Sequence, residues 1–382
     1  MPPRFSCYFF CFRACKVLEP DEEVEAYWSN ILFGTGSYKE GTATINDYFK
    51  EISGGRFWFN PILLGDNTTG VYSFRLDKDY SDAQGIHPGW PFFEHDYDMM
   101  FVMEELAREG LDINQFASEG INHENYHIIL SALFTAPQKD RNPQWYTTSN
   151  ILCIFPTYNT PQVYHMPLSS AADAFALRAH VNMDSVFGTI AHELAHTLGT
   201  VDVYVWGSYA SDLMSSYHFY MPDPYYVSHI NPYYKTLFGW ITPSVVTEPG
   251  PVRLYPPTSD KYNPIIVRTD DPNQYYIIEN RYSDKFDTGL NSAPSYFDEV
   301  RFSPASDGIN IWRIDKLGCE AIYNRQRKGI SLEAILRYLD SANLRRYVNI
   351  EDANDVQEAL TGIIVTDLGR NLDGSSDVRI DF

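Results

Sequence analysis

Two histidines spaced four residues apart, in His192-Glu193-Leu194-Ala195-His196, are the feature that most constrains how this chain can fold. They fall within residues 183–198, where apolar side chains recur at helical spacing. That spacing predicts a helix with one buried stripe, formed by Phe187, Ile190, Ala191, Leu194 and Leu198. Side chains at positions i and i+4 lie one above the other on a helix, so both imidazoles can reach one metal ion.

The residues around the two histidines complete a set of metal ligands. Glu193 lies about 100° around the helix from His192, so its carboxylate can reach a water on the metal without binding the metal. We therefore assign Glu193 as the general base, which later carries the proton to a leaving amine. Gly199 can reverse the chain, since glycine accepts a positive φ at little cost, and the reversal brings Asp202 towards the metal. The predicted zinc ligands are His192, His196 and Asp202, with a water in the fourth position.

A methionine in a polar turn follows at a suitable distance. Met214 lies in Ser211–Ser216, 18 residues after His196, and is predicted to pack as an apolar floor beneath the ligands. Tyr217 comes three residues later and is a candidate second catalytic residue, which would stabilise an oxyanion. Because the chain has 28 tyrosines, chance proximity is the simpler interpretation of Tyr217.

This pattern resembles the metzincin metallopeptidases, with Asp202 in place of the usual third histidine. Further segments are similar to the immune-inhibitor-A-like secreted bacterial metallopeptidases, and together they span about residues 5–315. The matching segments are Gly199 with Asp202 and Tyr204, Asp212–Met214, Gly239-Trp240, and residues 45–57, 274–281 and 308–315.

The resemblance implies a fold, an activity and a compartment. The fold would be an α/β (α+β) zincin: a mixed N-terminal sheet, the active-site helix, and a β-rich C-terminal subdomain that completes the cleft. The activity would be zinc-dependent endopeptidase cleavage of protein or peptide substrates, with one catalytic Zn²⁺. Secretion is favoured by the family, although residues 1–20 lack the apolar stretch and cleavage site of a secretion signal. Residues 316–361 have no counterpart in the family.

Local patterns predict two parts, divided by a change of composition near residue 243. Residues 1–242 alternate strands and helices, whereas residues 243–382 are rich in β-type segments, with a helical insert near residues 331–347. In the first part, strands are predicted over 5–12, 56–64, 126–134 and 150–155, and helices over 21–33, 42–53 and 96–108. In the last part, short strands are predicted around 362–366 and 378–382.

Composition excludes several classes of partner. The formal net charge is −21, and so acidic a surface repels phosphate backbones and anionic lipids, which argues against nucleic-acid binding. No run approaches the ~20 apolar residues that a membrane-spanning helix needs. Cys7, Cys11 and Cys15 could ligate a metal, but no Cys-x-x-Cys pair occurs and no nearby histidine completes a ligand set, which favours buried or semi-buried thiols. Nothing in the sequence indicates an oligomeric state.

The sequence disfavours two rival functions and a calcium site. A gluzincin would take its third ligand from a second helix, and Glu279 is available, but its surroundings have a strand pattern. A catalytically silent zincin fold could serve as a binding or adhesion module, although the presence of Glu193 favours an enzyme. Asp284 and Asp287 could bind Ca²⁺, but a solvated acidic loop is the simpler interpretation.

Overall fold

The computed structural model describes about two fifths of the chain before residue 227 and most of the chain after it. The residues described are 5–14, 25–26, 29–30, 32–37, 42–61, 63, 68–76, 126–134, 148–152, 156–159, 162–165, 187–196, 198–203, 212–215, 227–282, 284–291, 307–320, 328–337, 339–349 and 356–382. Over these residues the protein mixes helices and strands, with strands predominating, as an α+β chain does. The predicted helix over 96–108 lies outside the described residues.

The residues group into two compact units. The first comprises Met1–Phe49 and Phe57–Thr197, and the second comprises Lys50–Arg56 and Leu198–Phe382. The division predicted near residue 243 rests on composition and stays a prediction.

The first unit contains a mixed sheet around its N-terminal strand. Its strands are β1 (Phe5–Ala14), β2 (Phe59–Pro61), β3 (Val71–Leu76), β4 (Tyr126–Phe134) and β5 (Thr148–Leu152). Strand β1 pairs in parallel with β2, β3 and β4, whereas β5 runs antiparallel to β4. The sequence predicted this mixed sheet, and the bounds of β4 are those predicted. A separate hairpin joins β6 (Pro156–Asn159) to β7 (Gln162–His165).

Helix α1 (Ile45–Ile52) begins at a reciprocal cap and ends at two glycines. The Thr44 amide donates to Asp47 Oδ2 at 2.9 Å, and the Asp47 amide donates to Thr44 Oγ1 at 3.2 Å, which satisfies two amides at the helix start. After Ile52, Gly54 and Gly55 take φ values of 63° and 75°, which stop the helix.

An aromatic cluster joins α1 to helix α2 (Phe187–His196) inside the first unit. Tyr48 meets Phe187 edge to face, with ring centroids 6.2 Å apart. Phe49 packs in the same manner on Phe57 and Phe59, at 5.7 and 4.9 Å. All five rings are buried. This contact holds the N-terminal half of α2 against α1.

The second unit is a pair of sheets around a shared core. The strands are β8 (Ser244–Val246), β9 (Gly250–Leu254), β10 (Ile265–Arg268), β11 (Gln274–Arg281), β12 (Gly308–Asp315), β13 (Ile330–Leu336), β14 (Ser341–Asn349), β15 (Val356–Arg370) and β16 (Ser376–Asp381). One sheet has the order β13-β12-β11-β10-β8 and the other β14-β15-β16-β9. Both sheets contribute to one apolar cluster, which includes Tyr276, Ile311, Leu344 and Val365.

Three shorter helices complete the described part of the second unit. They are α3 (Pro232–Leu237), a 3-10 helix (Lys285–Asn291) and α4 (Lys316–Glu320). No helix among the described residues is long and apolar enough to cross a membrane.

The helical insert predicted near residues 331–347 is wrong. These residues form strands β13 and β14, which pair with β12 and β15. Leu336 and Leu344 are buried in the core between the sheets, while Asn343 and Arg345 are exposed. The Leu, Arg, Glu and Ala residues there favour helix locally, but burial between two sheets outweighs propensities of a few tenths of a kcal/mol each.

Candidate metal centre

The predicted motif helix is present over Phe187–His196. Phe187, Ala191 and Leu194 are buried, as the apolar stripe requires, and His192 is only 1% exposed. The helical backbone continues through His196, so the two histidines sit one turn apart, about 6 Å along the axis. The side chains of Glu193 and His196 lie outside the described part of the structure.

The glycine turn after the motif is also present. Gly199 has a φ of 90°, and a Cβ added there would meet no atom within 4 Å. The requirement for glycine is therefore conformational, since side chains disfavour positive φ, and does not come from crowding. His192 and His196 belong to the first unit, and Asp202, which is half-buried, belongs to the second.

The segment that carries Asp202 is held at three points within the second unit. The Val201 amide donates to the hydroxyl of Tyr234 at 2.9 Å. The Val203 amide donates to the carbonyl of Met214 at 2.8 Å. Thr200 Oγ1 donates to the sulfur of Met214 at 3.4 Å. Hydrogen bonds on both sides of Asp202 restrict where its backbone can lie.

The methionine turn predicted from the sequence is a buried turn at Asp212–Ser215. Met214 is completely buried. Asp212 Oδ1 accepts from the Met214 amide at 3.1 Å and from the Asn231 amide at 3.2 Å, and Oδ2 accepts from Asn231 Nδ2 at 2.7 Å. Burial raises the pKa of Asp212 to about 6, and the hydrogen bonds from Asn231 oppose that rise.

Helix α3 supports both the turn and the Asp202 segment. Asn231 caps its start by accepting from the Tyr234 amide at 3.1 Å, and Pro232 occupies the first helical position. One short helix thus links Asn231, which holds Asp212, to Tyr234, which holds Val201. Neither Asn231 nor Tyr234 stands out in the sequence as a site residue, although Asn-Pro is a recognisable helix start.

Next to the turn, six ionisable side chains form a connected group in the second unit, which we call the ionic cluster. Five of them are buried, and Glu51 is 15% exposed. The members are Glu51, His229, Lys235, Glu279, Arg281 and Asp287.

Arg281 is the cation on which one half of the ionic cluster depends. It binds Asp287 through Nε and Nη2, at 2.9 and 2.5 Å, and Glu279 through Nη1 at 2.9 Å. Glu279 also accepts from Trp312 Nε1 at 3.0 Å and from the Tyr262 hydroxyl at 2.5 Å. These bonds compensate the loss of water around the buried charges.

The other half of the ionic cluster is centred on His229. Lys235 Nζ lies 2.9 Å from Nδ1 of His229, and an ammonium can only donate, so Nδ1 is the acceptor. The proton is then on Nε2, which donates to Glu51 Oε1 at 3.3 Å. Burial, with the cations Lys235 and Arg281 close by, holds the pKa of His229 well below its usual value, so the ring is neutral.

The ionic cluster also bears on two predictions made from single residues. Glu279 lies in strand β11, so the strand pattern that disfavoured a gluzincin is confirmed. The interpretation of Asp287 as part of a solvated loop is wrong, because Arg281 and the His229 amide occupy its carboxylate. Asp284 is exposed, and calcium binding stays a prediction.

Two segments on which the family resemblance rests meet in the second unit. Arg56, which follows the α1 segment, donates through Nη1 to the carbonyls of Trp240 and Gly239, at 2.5 and 3.2 Å. Tyr204 and Tyr217 lie outside the described residues. Among the side chains that are described, no group of three or more His, Cys, Asp or Glu could hold a metal ion.

Comparison with known proteins does not identify a family. No family model matches the sequence, and no curated protein matches it. Among solved structures, OgpA from Akkermansia muciniphila is similar at 12% sequence identity over 73% of this chain and 72% of that chain, with a TM-score of 0.33. A likeness of that size carries no argument about fold or function.

Proposed function

We propose that this protein is a zinc-dependent endopeptidase with a zincin fold, resembling the immune-inhibitor-A-like metzincins. The observation that carries the proposal is a helix that contains both histidines and is followed by Gly199 at a φ of 90°. A motif of this kind gains weight when its structural context agrees with its spacing. Two imidazoles and one carboxylate are also a donor set that suits catalytic zinc.

Each residue of the motif has a separate role. His192, His196 and Asp202 would hold the metal. When bound there, zinc would polarise the scissile carbonyl and acidify a water molecule. Glu193 accepts the proton of the attacking water and later delivers it to the leaving amine. Tyr217 remains the candidate for stabilising the oxyanion.

The packing around Met214 supports the proposal from a second direction. Met214 is fully buried and accepts hydrogen bonds from Thr200 and Val203. It therefore lies beside the chain segment that carries Asp202. That neighbourhood suits an apolar residue placed beneath a metal ligand. The substrates would be proteins or peptides, and the resemblance favours activity outside the cell.

The rival function is a zincin fold that binds a partner without catalysis. Such a module would keep the histidines for structure and would have no need of a general base. The presence of Glu193 between the histidines favours the enzyme. A zinc-loaded protein that cleaves no unfolded substrate would favour the binding module.

One set of preparations tests the proposal: wild type, Glu193→Gln and Asp202→Ala, each measured for zinc content and for casein cleavage with and without a chelator. Wild type should bind one equivalent of zinc and lose activity to the chelator. Glu193→Gln should keep zinc and lose about 10²–10⁴-fold or more in rate, because the amide accepts no proton. Asp202→Ala should lose zinc and activity together, since two imidazoles leave the ion under-coordinated.

The pattern across the variants separates the roles. A Glu193→Gln protein that loses its metal while Asp202→Ala keeps it would show that the two roles are wrongly assigned. A fully active Glu193→Gln protein would exclude this mechanism, and wild type that binds no zinc even after reconstitution would exclude the metal site.

A further inference from the structure

Three members of the ionic cluster, Glu51, His229 and Lys235, stand in line within the second unit, and we call them the ionic triad. The neutral ring of His229 donates to Glu51 on one side and accepts from Lys235 on the other. The Lys235 ammonium also lies 5.1 Å from the ring centroid of Tyr262. None of the three residues belongs to the predicted metal ligands.

The backbone of His229 connects the ionic triad to the methionine turn. Its amide donates to Asp287 Oδ1 at 2.7 Å, and its carbonyl accepts from the Leu213 amide at 3.3 Å. Two residues later, Asn231 holds both carboxylate oxygens of Asp212. Residues 227–231 are all buried, so this short segment has little room to move independently of the turn.

Glu51 is the member of the ionic triad best placed to change its charge. It lies in the last turn of α1, and burial raises the pKa of its carboxyl group to about 7, although Lys285 opposes the rise. Oε1 accepts from the Phe286 amide at 3.4 Å, and Oε2 lies 3.5 Å from Lys285 Nζ. The titratable and charged groups around it on the neighbouring elements are the neutral His229, Lys235, Lys285 and Asp287, with Arg281 behind them.

We propose that the ionic triad positions the turn Asp212–Met214, and that protonation of Glu51 changes the placement of Met214. When Glu51 gains a proton, its oxygens become weaker acceptors for His229 and Lys285, because charged acceptors bond more strongly. His229 is then held mainly by Lys235, and its backbone transmits the change to Leu213. The ionic triad consists of positioning residues, and its meaning for catalysis rests on the proposed function.

Methyl NMR of the full-length protein tests this inference directly. The chain has 8 methionines, so a sample labelled at the methionine methyl groups gives few signals, and Met214→Leu identifies the signal of Met214. In wild type, the Met214 methyl shift should follow a titration with a midpoint at about pH 7. Glu51→Gln should abolish that titration. Lys285→Gln should raise its midpoint, because the opposing cation is gone.

Two further variants serve as controls. Glu358 pairs with Arg313 elsewhere in the second unit, so Glu358→Gln should leave the Met214 titration unchanged. Asp212→Asn removes the carboxyl group of the turn itself, whose pKa is about 6, and should keep the component near pH 7. Circular dichroism confirms that each variant is folded.

The results that would overturn this inference differ from the results that would contradict the proposed function. A Met214 methyl that shows no midpoint near pH 7, or that keeps it in Glu51→Gln, would overturn the inference. An unchanged midpoint in folded Lys285→Gln would overturn it as well. The NMR readout needs neither zinc nor peptidase activity, so an inactive protein whose Met214 titrates through Glu51 would contradict the proposed function alone.

Discussion

Met214 is the residue where the sequence pattern and the packing agree most directly. The sequence placed it in a polar turn after the motif, and the structure buries it completely with its sulfur against Thr200. An apolar, unbranched side chain can fill an irregular site of this kind. The Met214 amide donates to Asp212, and its carbonyl accepts from the Val203 amide. The backbone of the turn is thus held independently of the side chain.

The effect of a substitution at Met214 on stability and activity should therefore depend on the polarity of the new side chain more than on its shape. Met214→Leu conserves volume and should cost less than about 1.5 kcal/mol while keeping most of the activity. Met214→Asp would bury an unpaired carboxylate and should unfold or inactivate the protein. Urea denaturation and casein cleavage on both variants measure this. Full activity and stability in Met214→Asp would remove Met214 from the site.

At the scale of elements, helix α3 organises more of the candidate site than its six residues suggest. It fixes Val201 through Tyr234, and the residue that caps it, Asn231, fixes Asp212. Propensity contributes little to so short a helix, and its stability depends on the cap and on tertiary contacts. A substitution that weakens α3 should thus also loosen the segment that carries Asp202.

Tyr234→Phe tests this role of α3. The ring stays packed, but the Val201 amide loses its acceptor, which should cost about 1–3 kcal/mol in the free energy of unfolding. If Asp202 binds zinc, the variant should also bind zinc more weakly. Tyr255→Phe, whose ring lies 5.4 Å from the Lys261 ammonium, is the matched control and should stay within about 0.5 kcal/mol of wild type. Equal stabilities of the two variants would argue against the role of Tyr234.

Considered as a whole, the molecule carries buried charges whose pairing depends on pH. Burial raises the pKa of Glu51 to about 7 and that of Asp212 to about 6, from ordinary values of 4.5 and 3.8. A carboxyl group with a raised pKa in the folded state contributes stability that is fully present below its unfolded pKa and is lost as pH rises through its folded pKa. His229 acts in the opposite sense, since its pKa is lowered and its contribution is lost at low pH.

The contribution of Glu51 can be isolated by comparing wild type with Glu51→Gln. Relative to the variant, wild type should lose stability between about pH 4.5 and about pH 7, by an amount on the order of 3 kcal/mol. Chemical denaturation at several pH values measures the difference. A difference that stays constant, or that grows in favour of wild type as pH rises, would show that burial does not raise the pKa of Glu51.

The sequence by itself determined the features that local chemistry controls. Helix α2, strand β4, the turn at Gly199 and the turn at Met214 were all recognisable, because periodicity and turn chemistry act within a few residues. The donor set of the proposed zinc site is likewise a property of spacing along one helix and the turn that follows it.

Where burial by distant residues competes with local preference, only the tertiary structure determined which conformation the segment adopts. Residues 331–347 form strands and not a helix, because the two sheets bury Leu336 and Leu344 between them. Asp287 is buried and not solvated because Arg281, on a strand, binds its carboxylate through two hydrogen bonds. Pairings between residues far apart in the chain cannot be read from either residue alone, and so the ionic cluster behind Met214 became visible only in the fold.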